Sequence, residues 1–303
     1  MVDEVLKIKN CSIINAKKST KDAIVVVDEL KINRGNSIFI IGNNGSGKST
    51  FIKALFSIRQ EDNYFDINKD AIIDLKSMNF KNILSLNNQN ESDPHDLLLG
   101  YTYIEQEESF RKNDSVIKSL RIIGLVALKH IKDDFNNLNE YEDKLKMLDQ
   151  LVKNYSLEYF EDIYKYDVRY MNCEGKKEKE EIAFKILNKK KAIDCSGGQK
   201  KLISLLASLI KAQLLKTDLI VLDEPFNHLD HKNKIKIRDL ITNIRSERNS
   251  ENNPVTLIIV SHCLIFDFIK EADCFQYKIK DHKLVAIPEN DKIFHNCLHT
   301  EEC

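Results

Sequence analysis

The 303-residue sequence predicts an α/β fold, and three observations carry the prediction. Ser37-Ile38-Phe39-Ile40-Ile41 is a short apolar, β-branched and aromatic run, the pattern of a buried parallel strand. It leads through the glycine-rich stretch Gly42 to Thr50 into Phe51 to Phe56, which can open a helix. A second apolar run, Leu219-Ile220-Val221-Leu222, ends in Asp223-Glu224-Pro225. Between these two α/β portions the rhythm is helical.

The stretch Gly42-Asn43-Asn44-Gly45-Ser46-Gly47-Lys48-Ser49-Thr50 fits G-x-x-x-x-G-K-[ST]. Strand before and helix after are the context that pattern requires. Glycines let the backbone curl so that successive N–H groups face an anion at the positive end of the helix. Lys48 would reach the β- and γ-phosphates, and the Ser49 hydroxyl would reach Mg²⁺. A nucleoside triphosphate is the ligand this implies. Only nine glycines occur in the chain, and Gly42, Gly45, Gly47, Gly197 and Gly198 fall in two short motifs.

Composition sets bounds. Hydrophobic content of 42% and charged content of 31% fit a water-soluble globular chain. A net charge of −1 gives no global attraction to nucleic acid or anionic lipid, so such contacts must come from a local patch. The apolar run Leu202 to Ile210 is too short to span a bilayer, and the first residues, MVDEVLKIKN, show no signal peptide. Seven cysteines without C-x-x-C pairing suit a reducing compartment, and a cytoplasmic location is expected.

Along the chain, Val5 to Lys9 and Ala23 to Val27 read as strands, the second as a continuous buried run. Asn33 to Asn36 is a turn returning the chain to the glycine loop. From Asp62 to Asp96 the signal is weak and suggests the irregular sheet edge of a nucleotide domain. Leu97 to Ile104 reads as a strand ending in Glu105-Gln106. Val116 to Ile131 is helical, and Tyr141, Leu145, Leu148 and Val152 share one helix face. The expected division is residues 1–108 as the first part of a nucleotide-binding core, 109–191 as a helical subdomain and 192–303 as the second part of the core. Glu174 to Glu181 and Lys189 to Lys191 read chiefly as solvated helix surface. His295, Cys297, His299 and Cys303 offer soft ligands near the C-terminus, but no visible element holds them.

After residue 191, Cys195-Ser196-Gly197-Gly198-Gln199 precedes a helix reaching Leu215, and Thr256 to Val260 is a strand ending in Ser261-His262. A carboxylate at the end of the 219–222 strand can hold the water shell of Mg²⁺, and the next can polarise an attacking water.

With these motifs in order, the chain resembles the ATP-binding cassette (ABC) ATPases over nearly its full length. CSGGQ resembles their signature, LIVLDEP their Walker B motif, Gln106 the Q-loop glutamine, Asn227-His228-Leu229-Asp230 the D-loop and His262 the switch histidine. The resemblance implies a phosphate-loop NTPase core with an antiparallel β edge and an inserted helical subdomain, and an Mg²⁺-dependent ATP hydrolase. It implies Glu224, His262 and Gln106 as catalytic residues, and Ser49, Gln106 and Asp223 around the metal. It also implies a head-to-tail homodimer or paired cassette, in which Ser196 to Gln199 of one chain meet the ATP on the loop of the other. Three departures stand out. No aromatic occurs near Ile14-Asn15-Ala16, where the family stacks adenine, so GTP is expected to compete well. Cys195 replaces the customary leucine, and the Gln106-to-Cys195 interval is long.

For the biological role, the sequence leans to a soluble ATP-driven switch or motor acting on a protein partner or nucleic acid. The Asn227 to Asp230 segment, the absence of an R-x-x-x-A-R-A-L run after CSGGQ and the large helical insert all favour it. The alternative is the ATP-binding subunit of a transporter whose membrane-spanning part is a separate chain.

Overall fold

The computed structural model describes residues 4–15, 22–56, 65–75, 84–85, 101–104, 111, 113–132, 138–261, 266 and 271–292. The elements run in chain order as β1 (Glu4–Asn15), β2 (Ala23–Asn33), β3 (Ser37–Ile41), α1 (Lys48–Phe56), β4 (Phe65–Ile67), β5 (Ile72–Leu75), β6 (Leu84–Ser85) and β7 (Tyr101–Ile104). Then follow α2 (Val116–His130), α3 (Leu138–Tyr159), α4 (Glu161–Tyr164), α5 (Val168–Met171), α6 (Lys176–Lys189) and α7 (Gly197–Leu215). The last are β8 (Leu219–Asp223), α8 (His231–Ser250), β9 (Thr256–Val260), β10 (Cys274–Lys280) and β11 (Lys283–Ala286). The chain forms two compact units. One comprises Met1–Ile104, Thr217–Phe226 and Arg238–Cys303, the other Glu105–Lys216 and Asn227–Ile237.

One mixed sheet organises the first unit, in the order β6-β5-β1-β2-β11-β10-β3-β9-β8-β7, with β4 also paired to β1. Strands β10, β3, β9, β8 and β7 are mutually parallel. Every residue of β3, β8 and β9 is buried, which is why each is an unbroken apolar run in the sequence. The other arm is antiparallel: Leu6 faces Ile32, Ile8 faces Leu30 and Cys11 faces Val27. Strand β2 therefore does not match the expected continuous buried run. It extends to Asn33 and buries Val25, Val27, Leu30 and Ile32 between more exposed neighbours. The weak segment after Asp62 does supply a sheet edge, through β5 and β6.

Strands β10 and β11 and helix α8 had no counterpart in the sequence reading. The β10–β11 hairpin turns on Asp281 (φ 50°) and His282 (φ 63°), the two left-handed residues a tight primed turn needs. Its far strand joins the antiparallel arm to the parallel core. Lys283 pairs with Val26, and the Val26 N–H donates to the His282 carbonyl at 2.7 Å.

The second unit is helical. Helix α7 is its centre, with fourteen of its residues buried from Lys201 to Leu215. Helices α2 and α3 pack against it, and a Cβ on Gly124 of α2 would lie 2.7 Å from Leu148 of α3 and 3.4 Å from Leu214 of α7. Tyr155 of α3 donates to the Gln213 side chain, and Lys144 Nζ donates to the Leu214 carbonyl at 2.9 Å. Helix α6 buries only Ala183 and Leu187, so its charged residues lie on a surface face.

At the amino-terminal edge of the parallel strands, Arg34 forms an ion pair with Asp218, whose carboxylate is 1% exposed. Losing the direct partner of a buried carboxylate is costly. Arg34→Ala is expected to destabilise the protein by on the order of 3 kcal/mol. In urea titrations the midpoint should fall with an unchanged m-value.

Candidate nucleotide site

The site grows from the carboxyl edge of the parallel sheet, where open α/β sheets bind ligands. Strand β9 pairs with β3 on one side and β8 on the other, matching Val260 to both Ile40 and Asp223. The residue after Ile41 is Gly42 and the residue after Asp223 is Glu224. Register alone therefore delivers the glycine loop and the acidic pair to one level.

In the loop Gly42, Gly45 and Gly47 all have positive φ, at 145°, 80° and 98°. At Gly47 the need for glycine is doubled, because a Cβ would lie 2.9 Å from Val25 Cγ2 and 3.3 Å from Ile24 Cγ2. Lys48, the first residue of α1, is 5% exposed, and its Nζ donates to the carbonyls of Gly42 (2.7 Å) and Asn43 (2.9 Å). Burial lowers its pKa, while the nearby charges of Glu224 and Asp223 oppose that shift. Asn43, Asn44 and Gly45 are exposed at the loop's outer face, and Ser49 and Thr50 are partly buried on α1. The Ser46 hydroxyl oxygen is buried and finds no hydrogen-bond partner among the described residues. Such an oxygen inside a ring of turned amides suits an anionic oxygen ligand.

Asp223 is fully buried, and its Oδ1 accepts from Ser49 Oγ at 2.9 Å. That pair of hard oxygens suits Mg²⁺. Among the described residues, no group of three or more His, Cys, Asp or Glu forms a protein-only metal cage. Magnesium bound with nucleotide phosphates needs no such cage. Tyr103, at the end of β7, also approaches Asp223, with Oη 3.5 Å from Oδ2. Sequence reading missed Tyr103; its only signal was an aromatic just ahead of Gln106. Glu224 is 5% exposed and left-handed at φ 47°, with its N–H donated to the Val260 carbonyl. A non-glycine residue in that region costs of order 1 kcal/mol or more and concentrates at functional sites.

The signature residues lie in the helical unit. Ser196 caps α7 in a reciprocal box: its Oγ accepts from the Gln199 N–H, and Gln199 Oε1 accepts from the Ser196 N–H. The Gly197 and Gly198 amides remain at the positive end of a 19-residue helix. Gly197 has open space around it, but a Cβ on Gly198 would lie 2.8 Å from the His228 carbonyl oxygen. His228 is itself left-handed, at φ 64°, so its backbone shapes the signature. Cys195 is buried, and burial pushes its thiol pKa up, so it fills the leucine position as a small apolar side chain. Gln106, His262 and the His/Cys tail lie outside the described residues.

A turned glycine loop with its lysine, an adjoining buried Asp-Glu pair and a capped Ser-Gly-Gly-Gln helix define the nucleotide-binding domain of an ABC-type ATPase. The chain belongs to the family whose model, described as "AAA domain, putative AbiEii toxin, Type IV TA system", matches residues 37–264. It is similar to the oligopeptide transport ATP-binding protein OppD of Mycoplasma genitalium, 26% identical over 281 residues covering 89% of this chain. The chain spans 64% of that relative's length. It is also similar to the lipoprotein-releasing system ATP-binding protein LolD of Buchnera aphidicola, 28% identical over 80% of either chain. Among solved structures, the ADP conformation of an ATP-binding cassette of an ABC transporter superposes with a TM-score of 0.55. That match has 19% identity and covers 95% of this chain and 92% of the other, which establishes the common fold.

Gly47→Ala tests the loop. The added methyl meets both Val25 and an unfavourable φ, so nucleotide affinity should fall by at least about tenfold. Stability should drop by only about 1 kcal/mol. Calorimetric titration with ATP, alongside chemical unfolding, reads both.

Proposed function

We propose that this ATPase works as a Mg²⁺-dependent paired cassette, in which two chains face head to tail. The observation that carries the chemistry is the meeting of Lys48, Asp223 and Glu224 at the carboxyl edge of β3 and β8. Gly42 to Thr50 cradle the phosphates. Lys48 turns its ammonium from the Gly42 and Asn43 carbonyls to the β- and γ-phosphates. Ser49 and Asp223 would hold the metal, which would supply positive charge to offset that of the phosphates. Glu224 orients the attacking water and accepts its proton, fixed in place by its own left-handed backbone. Gln106 and His262 are assigned by motif order, to the metal or water shell and to the γ-phosphate. Ser196, whose hydroxyl proton is not engaged in the capping box, and the Gly197 and Gly198 amides would meet the γ-phosphate held by the other chain. Only the triphosphate then bridges both halves, so hydrolysis releases them.

For the role, the ATP-binding subunit of a transporter now ranks ahead of the soluble switch expected from sequence. What supports it is the similarity to ATP-binding proteins of oligopeptide transport and lipoprotein-releasing systems. In this reading a separate membrane-spanning chain is the partner and the protein sits on the cytoplasmic face. Among the described residues no helix is long and apolar enough to cross a membrane. The soluble switch stays as a second reading because the matching family model is described by a toxin–antitoxin system, not by transport.

Glu224→Gln is expected to keep ATP binding while slowing hydrolysis about a hundredfold or more, the range for loss of a general base. Purified from its native cells, the trapped variant should carry its partner. A multi-span membrane protein supports the transporter subunit; a soluble protein or nucleic acid supports the switch. Near-normal turnover would remove Glu224 from the chemistry.

In-trans catalysis makes a separate demand. Ser196→Arg and Lys48→Ala proteins should each be inactive, yet mixed heterodimers should regain one working site. Heterodimers that form without recovering turnover would refute the head-to-tail arrangement.

A further inference from the structure

One contact of the phosphate loop reaches a side chain that the catalytic assignment leaves unused. The position a Cβ would take on Gly47 lies 3.6 Å from the Ile24 carbonyl oxygen, as well as against the Ile24 and Val25 side chains. The same carbonyl accepts a hydrogen bond from His282 Nδ1 at 3.1 Å. His282 therefore stands one carbonyl group away from the loop, on the tip of the β10–β11 hairpin. Its backbone is fixed as well, because the Val26 N–H donates to the His282 carbonyl at 2.7 Å. A carbonyl can only accept, so Nδ1 carries the proton and the ring has one set orientation.

The residue is also unexpected on local grounds. At φ 63° a glycine would close this turn without steric cost, and histidine does so only with strain. The ring is exposed, so no burial offsets that strain. Beside it Ile24 is half-buried, packed on the core of the first unit with part of its side chain open. An exposed ring held by Nδ1 beside the phosphate loop keeps a π-face open to a flat ligand ring.

We propose that His282 stacks on the nucleobase of the bound nucleotide, with Ile24 as the apolar floor. The inference rests on the reading that Gly42 to Thr50 hold the phosphates. Lys48 Nζ, at the Gly42 and Asn43 carbonyls and beside the two carboxylates, marks the γ-phosphate end. In this proposal the base leaves from the other end of the triphosphate, over the rim where Gly47 meets Ile24. A ring already held by Nδ1 loses little further freedom when a base settles on it. Stacking uses the π-face that every base has, so the ligand class is a purine nucleoside triphosphate with weak discrimination between adenine and guanine.

The test uses His282→Gly, which suits the backbone and removes only the ring. Full-length wild-type and variant proteins are titrated calorimetrically with ATP, GTP and inorganic tripolyphosphate, and thermal unfolding verifies that each is folded. ATP and GTP should both weaken about 5- to 100-fold, the range for removing one base-stacking side chain. Tripolyphosphate, which has no base, should bind both proteins equally, and His282→Phe should retain most of the ATP affinity. Wild-type ATP affinity in His282→Gly overturns the proposal. So does an equal loss for ATP and tripolyphosphate, which would make His282 a support of the loop. Wild-type protein that binds neither ligand overturns the phosphate-loop reading, and this proposal with it.

Discussion

A lysine ammonium withdrawn from water is the constraint on which the nucleotide site depends. Lys48 Nζ is held by two loop carbonyls, and the burial that lowers its pKa is opposed by the charges of Asp223 and Glu224. Those carboxylates come from a strand 170 or so positions further along the chain, and they cannot reach the lysine unless the sheet brings them there. Strand β9 does so by pairing with both β3 and β8, which puts Ile40, Val260 and Asp223 in one row. A one-residue slip in either pairing would turn Asp223 to the opposite face of the sheet. The dry, unbroken apolar strands are therefore a condition of the chemistry as well as of stability.

Left-handed and other positive-φ backbone recurs in both units at the motif residues. Glu224 is left-handed at the strand end, and three loop glycines take positive φ. In the helical unit His228 is left-handed against Gly198. These are single residues held by their surroundings, with the Glu224 N–H donated to Val260 and Gly47 closed in by Val25 and Ile24. Packing that holds these residues in place lowers the ordering cost of binding a ligand there.

The signature follows a different physical rule. Ser196 and Gln199 each accept a hydrogen bond from the other's backbone N–H, which fixes both side chains and leaves the Ser196 hydroxyl proton and the Gly197 and Gly198 amides at the helix N-terminus. A long, nearly all-buried α7 holds those amides rigidly. Cys195, where leucine is usual, is buried, and a buried thiol with a raised pKa behaves as a small apolar group.

How much of this was legible beforehand follows from the range of the interactions. The glycine loop, the apolar strands β3, β8 and β9, and the capped start of α7 are written in consecutive residues, because turn chemistry, burial on both faces and capping are local effects. The ABC class of the protein follows from those motifs and their order. Strands β10 and β11 escaped notice because Cys274 to Lys280 is only partly buried and alternates with lysines, which looks like surface. The place of Tyr103 beside Asp223, the left-handed turn of Glu224 and the join of Lys283 to Val26 had no local signature either. Each depends on residues distant in sequence meeting across a sheet. The sequence alone determined the glycine loop and the acidic pair at the end of a buried strand, because each is written in consecutive residues. Tertiary structure decided what surrounds that phosphate loop, because strand pairing, which has no signal within any one strand, sets its neighbours.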